Sequence, residues 1–387
     1  MTRYVPSPEE EKNIGIDYYA TSFRGIGGRT RTALSDFIID EIYYNVYRAS
    51  SLRPENLTCK PGKYALYLVE KRGITTYRAA LILARELGVS PSIVSFSGLK
   101  DARSIAYQIF SVKTSKNSII KERVLHPKCS FTFIGLCNKP LRRGFHSGNY
   151  FKITIRDVEE PATSIIEFLE EVEVLGGLPN FYGHQRFGTI RPITHLVGKH
   201  IIARNWEDAV VCLVGEHFPG ESSIVREARM YFKDTMDPKK TLSLMPRSMV
   251  YERIVLRRLI KKPGKYRYAI KGLPTKMIKL FIEAFQSYIY NKTLSKRMGL
   301  GLRPDEALPG DVVYMGNKYT RTDKGGKIGK NSKMLIPLIG YETHLNKRSY
   351  SHEIILSILE ELNVKPEMFN LVDEGLPSLR GGFRATP

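Results

Sequence analysis

Residues 95–112 read SFSGLKDARSIAYQIFSV. Ile93, Val94 and Phe96 are spaced as a short buried strand, and Ile105, Tyr107 and Ile109 alternate with Ala106, Gln108 and Phe110 as a second strand does. Between them lies a tight polar corner with one carboxylate, Asp101. Gly98 lets the backbone turn there, or lets a ligand come close. The pattern predicts an aspartate where a strand runs out, held by a rigid sheet and open to a groove. Spacing alone favours a plain turn aspartate.

The flanking sequence continues the sheet. Asp36–Ile39 begins a strand, and Arg29 and Arg31 before it face either phosphates or a carboxylate. Gly25–Gly28 lacks a following Gly-Lys-Ser/Thr and is not a nucleotide P-loop. Tyr64–Val69 alternates as a strand. Thr75 or Thr76 caps a helix with Ala80, Leu81, Ala84 and Leu87 on its apolar side, and Gly88 closes it. Residues 114–128 read as a loop, and Phe131–Leu136 as a strand. Lys139, Arg142 and Arg143 lead into GFHSGNYFKITIR, where Phe151, Ile153 and Ile155 share one strand face. A helix over Pro161–Val174 is predicted to bury Ile165, Ile166, Leu169 and Val172. This is an α+β arrangement, a mixed sheet with helices on one side.

At Asn180 the character shifts, and from about residue 190 to 298 the pattern is mainly helical. Ile201, Ile202 and Trp206 suggest one helix, and Pro274 starts another. Arg253–Lys279 holds ten basic residues and no acid, interrupted by Tyr266 and Tyr268. Basic side chains interleaved with aromatics suit RNA phosphates and bases. Lys318, Arg321, Lys324, Lys327, Lys330 and Lys333 recur every third residue and read as a mobile basic loop. Ser351 caps a last helix, and the tail with Arg380, Phe383 and Arg384 reads as frayed.

The 387 residues suggest two domains, or one carrying a large insertion. A formal charge of +21 favours a polyanionic partner, nucleic acid before membrane. No apolar run is long enough to span a membrane, and the N-terminus has no apolar signal core. Cys59, Cys129, Cys137 and Cys212 have neither zinc spacing nor a disulfide framework, which fits a reducing cytoplasm.

Five stretches, taken in order, resemble the TruD family of tRNA pseudouridine synthases: DFIIDE, VSFSGLKDARSIAYQ, GNYF, NFYGHQRFG and EAFQSYIYN. Two features depart from the family pattern. Ala106 stands where the family has a hydroxyl, and Arg31 where it often has lysine. The resemblance implies a mainly antiparallel, pseudouridine-synthase-type catalytic domain in residues 1–177. A largely helical inserted (TRUD) domain follows in 178–338, and the catalytic domain returns in 339–387. It implies isomerisation of uridine 13 of tRNA, with uridine 35 of a tRNA-Tyr precursor as the alternative target. It also implies a monomer with no cofactor and no metal.

The reaction breaks the N1–C1′ bond, turns the base and joins C5 to C1′. Asp101 is the candidate catalytic carboxylate, with Arg31 as its cation and Lys100 second. Phe151 matches the family's stacking residue, and Asn149 the uracil or loop contact. Gln108, Phe383 and Arg384 complete the implied substrate contacts. Lys139, Arg142, Arg143, Arg186, Arg257, Arg258, Lys261 and Lys262 are the candidate RNA contacts. Two other classes remain: a non-catalytic tRNA-binding protein or RNA chaperone, and a metal-dependent nuclease. The nuclease needs a carboxylate cluster, and Asp36, Asp40, Glu41 and Asp101 show no metal pattern.

Overall fold

The computed structural model describes residues 4–58, 60–115, 120–316, 318–329, 332–346 and 349–386; Cys59 and Lys330 lie outside them. The chain divides into two units, Arg24–Ile165 and Met1–Phe23 with Ile166–Pro387. Together they make an α+β protein.

The first unit is built on an eight-stranded sheet. Its main strands are β1 (Phe37–Tyr43), β2 (Tyr64–Arg72), β3 (Val94–Phe96) and β4 (Ile105–Lys113). β5 (Arg123–His126), β6 (Cys129–Cys137) and β7 (Gly148–Ile153) follow. The order is β7-β1-β4-β2-β6-β5, with β3 on β4 and Tyr47–Arg48 on β1. β1 and β4 run parallel, and the other pairings are antiparallel. β4 is central and nearly continuously buried, which is why Ile109, Phe110 and Val112 crowd together in it.

One helix, α1 (Thr76–Glu86), covers one face. Thr75 is its N-cap and accepts from the Arg78 amide, while Thr76 is buried. Ala79, Ala80, Leu83 and Ala84 of α1 pack with Tyr67, Val69, Phe110 and Phe131 of the sheet. The opposite face is covered by Ala49, Leu52 and Leu141 from loops, against Tyr43, Leu66 and Ile109.

Two expectations change over residues 114–175. Residues 114–128 contain β5, whose alternation is too short to stand out from the polar stretch around it. α2 (Ala162–Leu175) forms, but Ile166 and Leu169 are exposed, and of its residues only Leu175 is buried.

The second unit is mainly helical. It comprises α3 (Thr194–Ile202), α4 (Trp206–Gly215), α5 (Ser223–Thr235), α6 (Pro238–Leu244), α7 (Val250–Lys261), α8 (Tyr266–Ile270) and α9 (Thr275–Gly299). Ile202 and Trp206 thus belong to two helices rather than one. α9 is the spine: Ile278, Phe281, Ile282 and Phe285 enter the main core with Val197, Ile201 and Leu256.

The basic stretch from Lys318 is not a loop throughout. β8 (Val312–Met315) and β9 (Lys318–Arg321) pair as a hairpin, and β10 (Lys333–Leu338) joins β8. The tail is not frayed either, because β11 (Gly382–Thr386) pairs with β10. α10 (Tyr350–Glu361) has Ser349, not Ser351, at its N-cap. Residues 339–387, expected to return to the catalytic domain, therefore pack in the helical unit. No helix among the described residues is long and apolar enough to cross a membrane.

Candidate active site

Asp101 lies in the loop between β3 and β4, with its side chain half exposed. Arg31 Nη2 donates to Asp101 Oδ2 at 2.9 Å. Arg31 has φ 61°, a left-handed conformation that costs a non-glycine residue about 1–2 kcal/mol. The guanidinium rests on the Phe37 ring, 3.9 Å from its centroid. Phe37 in turn meets Phe151 edge to face, with centroids 6.0 Å apart. Phe151 pairs with Ile39 in the β7–β1 ladder, and its ring is 51% exposed. The structure thus joins three of the predicted residues, Asp101, Arg31 and Phe151, through Phe37.

The loop under Asp101 is held from four elements. Gln108 of β4 donates from Nε2 to the Gly98 carbonyl at 3.2 Å and accepts from Thr76 Oγ1 at 3.0 Å. Thr76 of α1 also accepts from the Lys100 amide at 2.9 Å. Lys100 Nζ lies 2.8 Å from Glu41 Oε1 of β1, an ion pair without hydrogen-bond alignment. Lys71 of β2 donates from Nζ to the Asp101 carbonyl at 2.5 Å, and Ser104 Oγ donates to the same oxygen at 2.7 Å. Ser104 thus places a hydroxyl at the loop where position 106 is alanine.

These groups are buried, so each costs free energy unless it is bonded. Glu41 also accepts from the Tyr43 hydroxyl, whose pKa is raised well above the ordinary value by burial and by that carboxylate. Burial lowers the Lys71 ammonium to about 8; Asp101 opposes the shift and Lys100 adds to it. Gly98 fits the close-approach reading. A Cβ there would stand 2.9 Å from Lys100 Nζ and 3.0 Å from His146 Cε1.

Other predicted residues fall differently. Lys100 and Gln108 are buried, so they hold the loop from behind instead of offering a face to substrate. Asn149 is exposed on β7, opposite Glu41 in the ladder. Lys139, Arg142 and Arg143 are exposed, and Arg143 donates to the Tyr77 hydroxyl at 3.0 Å.

The remainder belong to the helical unit. Arg186 is engaged by Ser287 at 2.9 Å and Glu283 at 3.6 Å. Arg384 donates to Asn180 Oδ1 at 2.9 Å and stacks on Tyr182 at 3.8 Å, while Phe383 is exposed on β11. Arg257 and Lys261 are exposed on α7, and Arg258 and Lys262 lie over the Tyr268 ring at 4.1 and 4.7 Å.

Sequence reading missed Lys71, Thr76, Glu41, Tyr43 and Phe37 as parts of this site. Glu41 carried a signal, since with Asp40 it puts two charges inside a strand whose other residues are apolar or aromatic. Lys71 carried none, since it follows Glu70 and precedes Arg72 at the end of β2.

The family model described as tRNA pseudouridine synthase D (TruD) matches residues 13–387. A Methanosarcina mazei protein named "Probable tRNA pseudouridine synthase D" is 33% identical over 383 residues, 94% of this chain and 84% of that one. A Pyrococcus abyssi protein of the same name is 32% identical over 366 residues, 91% of this chain and 85% of that one. The crystal structure of the TruD protein from Methanosarcina mazei superposes with a TM-score of 0.83 at 32% identity, covering 98% of this chain and 88% of that one. With a family match over nearly its full length and relatives above 30% identity, this chain belongs to the TruD family.

Proposed function

We propose that the protein isomerises uridine to pseudouridine in tRNA, at uridine 13, with Asp101 as the catalytic carboxylate and Arg31 as its cation. The observation that carries this reading is the Asp101–Arg31–Phe37–Phe151 chain set on a loop fixed from four elements. A carboxylate whose surroundings are fixed before substrate arrives needs little reorganisation during reaction. Among the described residues no hydrogen bond reaches Asp101 Oδ1, so one oxygen faces substrate while Arg31 holds the other.

Phe151 offers an exposed ring on which a flipped uracil stacks, offsetting part of the few kcal/mol needed to unstack it. Asn149, exposed two residues before it, reads the uracil edge. Lys100 and Gln108 act as positioning residues. The reaction cleaves N1–C1′ and forms C5–C1′; the C5 proton leaves to solvent and N1 takes one up. It is redox-neutral and internal to one nucleotide, so it calls for no cofactor. The protein works as a cytoplasmic monomer on tRNA.

The test is tritium release from tRNA carrying 5-tritiated uridine, followed by mapping of the product. The parent should release tritium from position 13. Asp101→Asn should release none while binding tRNA within about twofold of the parent, because one carboxylate contributes little beside many phosphate contacts. Turnover by Asp101→Asn would remove Asp101 from the role. Binding by the parent without release would favour a non-catalytic RNA-binding protein. Product at position 35 of a tRNA-Tyr precursor would replace the target.

A further inference from the structure

The helical unit holds a cavity of about 620 Å³ between the start of α4, the end of α7 and α8. That volume is within the range of ligand pockets, roughly 300–1,000 Å³. Five of its lining residues are cations: Arg258, Lys262, Lys265, Arg267 and Lys271. Three are aromatic: Trp206, Tyr266 and Tyr268. No carboxylate lines it.

The nearest acids are already engaged. Glu374 holds Arg267 at 2.6 Å, and Glu207 is hydrogen-bonded to the Tyr266 side chain. Among the described residues no carboxylate pairs with Lys262, Lys265 or Lys271, and all three are exposed. Two cations, Arg258 and Lys262, share the Tyr268 ring. Their mutual repulsion leaves the patch in want of an anion. Half-buried aromatic surface beside unpaired ammonium groups is the surrounding that a base with phosphates on either side requires.

We propose that this cavity takes one unstacked nucleotide of the bound RNA strand, its base against Trp206 and Tyr266 and its flanking phosphates on Lys262, Lys265 and Lys271. The proposal rests on the tRNA-substrate reading above and adds a second anchoring point, separate from the nucleotide that Asp101 isomerises. It assigns a binding mode to a patch otherwise describable only as basic. A free mononucleotide presents the same chemistry, and the test separates the two.

Trp206 is the chain's single tryptophan, so its emission reports on this cavity without labelling. The full chain is titrated with tRNA, with a single-stranded oligouridylate and with UMP, while anisotropy of end-labelled tRNA measures binding in parallel. The expected result is saturable quenching by tRNA and by oligouridylate that follows the binding curve, with UMP at least a hundredfold weaker. Combined Lys262→Glu, Lys265→Glu and Lys271→Glu should abolish quenching, weaken tRNA binding tenfold or more and flatten the salt slope by about two. An unchanged emission maximum and urea midpoint would show that this surface variant is folded.

Bound tRNA with silent Trp206 emission, or quenching that survives the triple variant, would overturn the proposal. So would UMP binding as tight as RNA, which would make this a mononucleotide site. If tRNA does not bind at all, the tRNA reading fails, and the oligouridylate titration still decides whether the cavity accepts a strand.

Discussion

Replacing Lys71 with methionine should separate what the buried amine does for stability from what it does for Asp101. Lys71 is fully buried, and burial brings its pKa from the ordinary 10.5 to about 8. At 1.36 kcal/mol per pK unit, keeping the charge costs the folded protein about 3 kcal/mol at pH 7. The unfolded chain keeps the proton up to about pH 10.5 and the folded chain only to about 8. Between those values the unfolded state binds more protons, so stability rises with pH. Methionine removes that cost and also removes a charge-assisted hydrogen bond to the Asp101 carbonyl, worth about 1.5–3 kcal/mol. Ser104 continues to satisfy the carbonyl. At pH 7 the variant should therefore be as stable as the parent, or more stable by about 1 kcal/mol. At pH 9.5 the difference should have moved toward the parent by about 2 kcal/mol. The rate should nevertheless fall on the order of 10- to 100-fold, because a misplacement of about 1 Å at a reacting group is enough for that. Urea unfolding at both pH values and single-turnover tritium release are the assays. A loss of more than about 3 kcal/mol at pH 7, a parent–variant difference independent of pH, or a normal rate would each refute the account of Lys71 as a costly charged anchor.

Arg31→Ala should lower the single-turnover rate at least tenfold by removing the cation 2.9 Å from Asp101, and Arg31→Lys should restore part of it, since the charge returns without the planar stack on Phe37. An Ala variant with the parent's rate would place Arg31 outside the reaction. Gly98→Ala puts a methyl group 2.9 Å from Lys100 Nζ, pushes the ammonium off Glu41 and should lower the rate about tenfold while tRNA affinity holds; a crystal structure of the variant with the ion pair intact would contradict this. Replacing Arg257, Arg258, Lys261 and Lys262 together with alanine should flatten the log–log salt dependence of tRNA binding by about two to four, at roughly 0.7–0.9 per phosphate contact. An unchanged slope would make this run a solvated face.

The parts of the fold legible in the sequence were those whose signal is local. The strand pair around Asp101, the α1 cap at Thr75 and the long helix after Pro274 each follow from a periodicity and a punctuating residue that stand side by side. β5 was not legible because four residues are too short for their alternation to stand out from the polar stretch around them, and β11 was not because it is a strand only where β10 offers an edge about fifty residues earlier. The site divides in the same way. Asp101 and its loop were visible, whereas the groups that hold the loop come singly from β1, β2, β4 and α1. Lys100 and Gln108 were found by proximity in sequence and so were expected at the substrate, yet the β4 pleat turns Gln108 inward and Glu41 draws Lys100 into the protein.

The other acids near Asp101 limit the chemistry it can share. Asp36 accepts from Arg156 at 2.7 Å and from the Ala33 amide at 2.8 Å. Asp40 accepts from the Ser50 amide and hydroxyl. Glu41 is held by Tyr43 and Lys100. All three are buried and engaged, and Glu41 meets the Asp101 loop only through its ion pair with Lys100. Hydrolysis by an acid–base pair, or by a cation bridging carboxylates, distributes its work over at least two such groups at the reacting atom. Asp101 brings one half-exposed carboxylate with a fixed cation, and among the described residues Arg31 pairs with no other carboxylate. That equipment suffices when the substrate supplies both the leaving and the attacking atom, as uracil does when N1 leaves C1′ and C5 takes its place. The buried polar groups behind the loop then have a reason to be there despite their cost. In the proposed reaction they would keep a single carboxylate at one position while the base turns in front of it.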